Sequence, residues 1–290
     1  MTRAGFRRGR VLPSPRPLAA AAAGALLLVG ACSAGGGSPE PEPSGADTAS
    51  HDYLPGLAAF PHVPAGVTSA PVVVLVPGGG WRSADPTGLE PLAQSLAEGG
   101  VFAMPVEIRA ADDGVVHPTP VEDVLCALAD GAATAKAAGL EPERLVLLGH
   151  SSGAHLSALA ALTPDDHDPR CEDPVVTPDA VVGLAGPYDI REFEDAAAAL
   201  FGDGTDPAQW DAANPLLRAG LRPELPFLLL HGDADDVVPP VFSTEFGTAL
   251  RAGGHDTTVS VLPGEDHASI YSAQVASEPV LGWLDSLPEQ

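Results

Sequence analysis

The sequence predicts an α/β domain, with a mostly parallel sheet and helices packed on both of its faces. Three observations carry this reading. Short, continuous apolar runs rich in Val and Leu recur along the chain, as strands buried on both faces require. Ala/Leu-rich stretches at helical spacing alternate with them, the pattern of strand–helix–strand units. Gly and Pro, at 32 and 31 residues, punctuate the boundaries between the two kinds of segment.

In chain order, the apolar runs predict strands over 72–76, 102–108, 145–148, 180–184, 227–230 and 258–262. Helical spacing predicts helices over 89–97, 120–138, 152–162, 241–252 and 269–286. The second of these has Pro120 in its first turn and Gly139 just past its end, the chemistry helix boundaries prefer. Residues 187–221 break the rhythm with Pro187-Tyr188-Asp189, an Ala run, Trp210 and Asn214-Pro215. This stretch is expected as an irregular or helical excursion over the sheet edge, a small candidate lid. No internal repeat is visible. A sheet of this kind places ligands beyond the carboxyl ends of its strands.

The N-terminal segment has a different character. Residues 1–16 hold five arginines and no acid, and a twelve-residue apolar run follows over 18–29. That run is short of the roughly 20 residues that span a bilayer, so residues 1–32 read as an export signal. It ends Val29-Gly30-Ala31-Cys32, which resembles a bacterial lipobox whose cysteine is lipidated. Residues 33–50, almost all Gly, Ser, Pro, Glu and Ala, predict a flexible tether. The folded domain is then expected over 51–290. The expected location is outside the cytoplasm, on the outer membrane face as a lipoprotein or secreted. Arg7-Arg8 hints at twin-arginine export, but Gly9-Arg10 follows where apolar residues are expected, so the route stays open.

The formal net charge is −25, and Lys136 is the only lysine. Such a surface repels nucleic acid and anionic lipid, leaving a lipid at Cys32 as the expected membrane contact. Cys126 and Cys171 either form a disulfide, as an exported chain permits, or are two buried thiols. No H-E-x-x-H or C-x-x-C spacing is present, so neither metal nor organic cofactor is implied. Oligomeric state is not legible.

The chemistry gathers at predicted strand ends. The run Leu145-Val-Leu-Leu148 leads into Gly149-His150-Ser151-Ser152-Gly153 and then an Ala/Leu helix. G-x-S-x-G between strand and helix puts Ser151 on a tight turn, exposed above the sheet as a nucleophile. A serine hydroxyl needs a base, and the base an orienting acid, following in the order Ser, acid, His. The strand over 227–230 opens into His231-Gly-Asp-Ala-Asp235-Asp-Val-Val-Pro239. Asp235 is the preferred acid, with Asp233 and Asp236 as rivals, and His231 is expected to be structural. The last strand leads to Pro263-Gly-Glu-Asp-His267, which offers His267 as the base. His255 precedes that strand and belongs at the opposite sheet end. His117 stands in the wrong order for the base but could line a pocket. The first strand leads into Pro77-Gly-Gly-Gly-Trp81, where bare glycines let N–H groups approach a developing oxyanion. Gly79 or Gly80, together with Ser152, are the expected donors.

With these segments in view, the chain resembles the carboxylesterase/kynurenine-formamidase-like branch of the α/β-hydrolase fold. Gly-Gly-Gly-Trp81, Gly149-His-Ser-Ser-Gly-Ala-His-Leu156, His231-Gly-Asp-Ala-Asp235 and Glu265-Asp-His267 carry the likeness, over roughly residues 53–285. Leu57-Ala-Ala-Phe60 resembles the strand before the oxyanion loop, and Val121-Glu-Asp-Val-Leu125 the helix before the nucleophile strand. Two departures stand out. Pro77 replaces the usual His before the glycines, removing a side chain that braces the loop, and Ile108-Arg109 replaces Tyr-Arg. The resemblance implies a serine hydrolase acting on a small-molecule carboxylic ester. Rival readings are a related amidase, arylformamidase, peptidase, lipase or polysaccharide deacylase, and a non-catalytic binding lipoprotein on the same fold.

Overall fold

The computed structural model describes residues 49–204 and 206–288. The predicted export signal, Cys32 and nearly all of the tether lie outside the described residues.

The chain opens with an antiparallel hairpin of β1 (His51–Leu54) and β2 (Leu57–Ala59). The main sheet has six strands: β3 (Ser69–Val76), β4 (Phe102–Pro105), β5 (Glu141–His150), β6 (Ala180–Leu184), β7 (Phe227–Gly232) and β8 (Thr257–Leu262). Their spatial order is β4-β3-β5-β6-β7-β8, and every adjacent pair runs parallel. Val72 to Val76, Ala180 to Leu184 and Phe227 to Leu230 are buried throughout, which is why these segments read as unbroken apolar runs.

On one side lie α2 (Thr119–Ala137) and α3 (Ser152–Leu162). They share a core with Val72, Val74, Leu147 and Val181, and α7 (Val241–Gly253) adds Phe246 and Leu250. The opposite face packs Val73, Leu75, Leu148 and Leu230 against α1 (Glu90–Glu98) and α8 (Ala273–Ser286). Alternate residues of one strand therefore feed two separate cores, as strand geometry demands.

One expectation needs correction. The strand expected over 102–108 is shorter: β4 ends at Pro105, and the last bond to β3 runs from the Val106 N–H to Leu75 O at 3.2 Å. Beyond it, the Glu107 N–H bonds to Ala58 O, and the Arg109 N–H and guanidinium clamp the buried Asp123 of α2. The segment after β2 runs antiparallel along β4, with His62 bonded both ways to Ala103. It covers an edge that would otherwise offer unpaired backbone groups. Residues 187–221 form the irregular, partly helical excursion expected of them. They join the interior strands β6 and β7 through α4 (Glu194–Ala197), α5 (Pro207–Ala212) and α6 (Pro215–Arg218). Asn214 fastens this excursion, bonding Asp189 at 2.7 Å and the Leu216 N–H at 3.2 Å.

A disulfide joins Cys126 of α2 to Cys171 in the segment after α3, closing a sequence separation of 45. No helix among the described residues is long and apolar enough to cross a membrane.

Candidate active site

Ser151 sits between β5 and α3 with φ 53° and ψ −124°, a backbone state that L side chains seldom adopt. The turn is possible because its flanks are glycine. A Cβ on Gly149 would lie 2.3 Å from Gly153 O, and one on Gly153 would lie 2.3 Å from Val76 O. The strained turn lifts the hydroxyl out of the sheet, beyond the strand's carboxyl end.

The Ser151 hydroxyl lies 3.0 Å from His267 Nε2, as donor to acceptor. On the other side of that ring, the Nδ1–H donates to Asp235 Oδ2 at 2.8 Å. Asp235 is 7% exposed, and its carboxylate is fully engaged. Oδ1 accepts the N–H groups of Val237 (2.9 Å) and Val238 (2.8 Å). Oδ2 also lies 3.2 Å from His231 Nε2. Asp235 thus faces His267, whereas Asp233 turns to the Gly264 N–H at 2.7 Å.

His231 is neutral and structural in its bonding. Its Nε2–H donates to Val238 O, Ser243 lies against Nδ1, and burial holds its pKa below the ordinary histidine value. His255 bonds Leu225 O before β8 begins, at the far end of the sheet. His117 is not in the wall of the cleft. It faces His167 and Phe201, and burial first, then the nearby His167, pushes its pKa down to about 4.

Sequence reasoning gave no role to His150 beside the nucleophile. Its Nε2–H donates to the His267 carbonyl at 2.9 Å, and its ring lies between those of His267 and Tyr271. Burial pushes its pKa down to about 3, with repulsion from His267 as a smaller cause. A neutral His150 therefore props the loop carrying the base. The x position of G-x-S-x-G was the available signal.

The glycine loop enters the site from β3. Gly79 has φ 153°, and a Cβ there would meet Ser83 O at 2.0 Å, so no other residue fits. Among the described residues, no hydrogen-bond acceptor takes the N–H of Gly79, Gly80 or Ser152. Ser152 opens α3, where helix N–H groups have no partner within the helix.

Ser151, His267 and the glycine loop open on a cleft of about 480 Å³. Pro187, Phe193 and Ala196 of the excursion, with Val237 and Val238, form an apolar wall, while Asp85 and Tyr271 supply polar groups. Larger depressions near Arg109 (about 540 Å³) and Arg144 (about 790 Å³) include neither Ser151 nor His267 in their lining. The described residues gather no group of three His, Cys, Asp or Glu side chains suited to a metal ion.

Residues 62–250 match the family model described as BD-FAE. The chain belongs to this family. Among curated proteins it is similar to "Esterase LipC" of Mycobacterium tuberculosis, 32% identical over 217 residues, covering 68% of this chain and 53% of that protein. It is also similar to the isoprenylcysteine alpha-carbonyl methylesterase ICME of Arabidopsis thaliana, 26% identical over 238 residues, covering 75% of this chain and 54% of that protein. The chain spans about half the length of the curated relatives it matches. Among solved structures, an acetyl ester-xyloside bifunctional hydrolase from Caldicellulosiruptor lactoaceticus superposes with a TM-score of 0.69 at 24% identity, covering 79% of this chain and 88% of that one. An esterase from Thermogutta terrifontis gives 0.66 at 22% identity, covering 84% and 94%. At these identities the likeness concerns the fold, which is that of the α/β-hydrolases.

Proposed function

We propose that this chain is an exported serine hydrolase that cleaves carboxylic esters through an acyl-enzyme. One observation carries the reading: the hydrogen-bonded line Ser151–His267–Asp235 opens on the cleft beside unpartnered loop N–H groups. The names of its family relatives, several of them esterases, support the same chemistry.

Ser151 Oγ attacks the ester carbonyl carbon while His267 Nε2 takes the hydroxyl proton. The carbonyl π pair moves onto oxygen, which N–H groups of Gly79 or Gly80 and of Ser152 receive. The intermediate collapses, the C–O bond to the alcohol breaks, and His267 returns its proton to the leaving oxygen. Water then attacks the acyl-Ser151 ester by the same route and releases the acid. Asp235 keeps the Nδ1–H tautomer and stabilises the charged ring without itself taking the proton. Its two bonds from Val237 and Val238 hold the carboxylate in that pose.

The cleft of about 480 Å³ has room for an ester with a small or medium acyl group. Export rests on residues 1–32, with lipidation at Cys32 and a tether to residue 50 holding the domain off the membrane. In a lipoprotein-processing bacterium, the wild-type chain should fractionate with membranes and Cys32→Ala should release it.

The test of activity is hydrolysis of p-nitrophenyl acetate, longer acyl esters and aminoacyl anilides, with fluorophosphonate labelling in parallel. Ser151→Ala should abolish turnover and labelling. Labelling that survives in this variant refutes the assignment. Anilide turnover above ester turnover moves the reaction to amides.

A further inference from the structure

We propose that His155 is a positioning residue for the oxyanion loop, acting through Trp81. The inference rests on the acyl-transfer reading and adds to it the part that holds the loop in place.

Before Trp81, the side chains of the loop that starts at Pro77 do little to fix it. Three consecutive glycines give the backbone its greatest freedom, and Pro77 brings neither an N–H nor a polar side chain. Trp81 itself adopts φ 58°, a conformation that needs outside support in a bulky residue. Backbone bonds reach the loop at two points: Gly79 O accepts the Arg82 N–H at 3.1 Å and the Ser83 N–H at 3.4 Å, and Trp81 O accepts the Ala111 N–H at 3.0 Å. The side-chain anchor is Trp81. It is 3% exposed, and its Nε1–H donates to His155 Nδ1 at 3.1 Å, with the rings edge to face.

His155 lies on α3 four residues after Ser151, one helical turn away. It is fully buried, and its Nε2–H donates to Ala213 O at 2.8 Å. With one nitrogen accepting and the other donating, only one neutral tautomer satisfies both partners. Burial favours that state and pushes the pKa down to about 3. A protonated ring would set an N–H against the indole N–H.

The consequence is geometric. The helix that starts with Ser152 and the loop that holds Gly79 and Gly80 are referenced to one imidazole. Both sets of oxyanion donors are thereby set at a fixed spacing across two segments 74 residues apart. The third arm reaches the excursion at Ala213, and Phe193 of that excursion touches the Trp81 ring while lining the cleft. Donors that must sit within ångström tolerance of a developing charge depend on such a reference point.

The experiment uses the full chain, with activity normalised to fluorophosphonate-titrated sites. Trp81→Phe keeps a ring and removes the donor. Its kcat for p-nitrophenyl acetate should fall on the order of 30-fold with KM nearly unchanged. The Ki of a trifluoromethyl ketone, which mimics the tetrahedral oxyanion, should rise in proportion to the loss in kcat/KM. His155→Leu should behave alike. His155→Asn, which can place an amide oxygen near the Nδ1 position, should recover part of the loss. If Trp81→Phe does not fold, the His155 pair carries the same comparison. Wild-type kcat per titrated site in these variants overturns the proposal, as does a loss confined to KM or an unmoved Ki. A wild-type chain that neither labels nor turns over ester refutes the acyl-transfer reading, and the proposal falls with it.

Discussion

Replacing Asp235 by Asn tests the site with almost no change in volume. Oδ1 of Asp235 accepts two backbone N–H groups, from Val237 and Val238, and these can only face an oxygen. The new amide oxygen must therefore take that side, and the NH2 must turn toward His267. There it meets a ring nitrogen that now donates its own hydrogen at 2.8 Å. Two donors cannot face each other, so His267 shifts to the tautomer with hydrogen on Nε2. That nitrogen then donates toward Ser151 Oγ, 3.0 Å away, and can no longer take its proton. A wrong tautomer in such a triad lowers kcat by about 10⁴, roughly 5 kcal/mol of transition-state stabilisation. The assay is p-nitrophenyl acetate hydrolysis per protein molecule, with the fold checked by circular dichroism. Asp236→Asn in parallel should stay close to wild type. An Asp235→Asn variant within tenfold of wild-type kcat, or a larger loss in Asp236→Asn, would refute the reasoning.

Other expectations follow from single distances. Gly153→Ala places a Cβ 2.3 Å from Val76 O, so urea denaturation should show destabilisation of about 3 kcal/mol or more, or no folded protein. An unchanged urea midpoint would contradict the close approach. Replacing Cys126 and Cys171 by Ser reopens a 45-residue separation, and the chain-entropy model predicts a loss of about 4 kcal/mol. Reductant should lower the thermal midpoint of the wild type and leave that of the double variant where it is. Stability should also depend on pH through buried histidines. His150 and His155 are held at about 3 in the folded chain against 6.5 when unfolded. The unfolded chain therefore binds their protons first as pH falls. Stability present above pH 6.5 is lost toward pH 3, at up to about 1.4 kcal/mol per pH unit for each ring. Equal urea midpoints at pH 7 and pH 4.5 would count against this.

Legibility followed the range of the forces involved. Strands 180–184 and 227–230 could be read from composition because both faces of the sheet bury side chains, so every residue had to be apolar. The helix over 152–162 likewise declares itself, since all its residues are buried and small or aliphatic apart from His155 and two serines. Of the first hairpin, β2 was legible only through the resemblance of Leu57-Ala-Ala-Phe60 to a family strand, and β1 gave no signal. The hairpin's strands are three or four residues long, and its place is set by bonds to Glu107 far along the chain, whose N–H donates to Ala58 O and whose carbonyl accepts the Tyr53 hydroxyl.

By itself the sequence determined the α/β alternation, the glycine-flanked turn at Ser151, and the order of serine, acid and histidine, because local sterics and burial set those. Only the tertiary structure decided which of three neighbouring aspartates meets His267, that Pro187, Phe193 and Ala196 of the excursion wall the cleft, and that Trp81 finds His155. Each of these is a contact between segments distant in sequence, and an ångström of loop placement separates a hydrogen bond from none. No pattern along the chain encodes that distance.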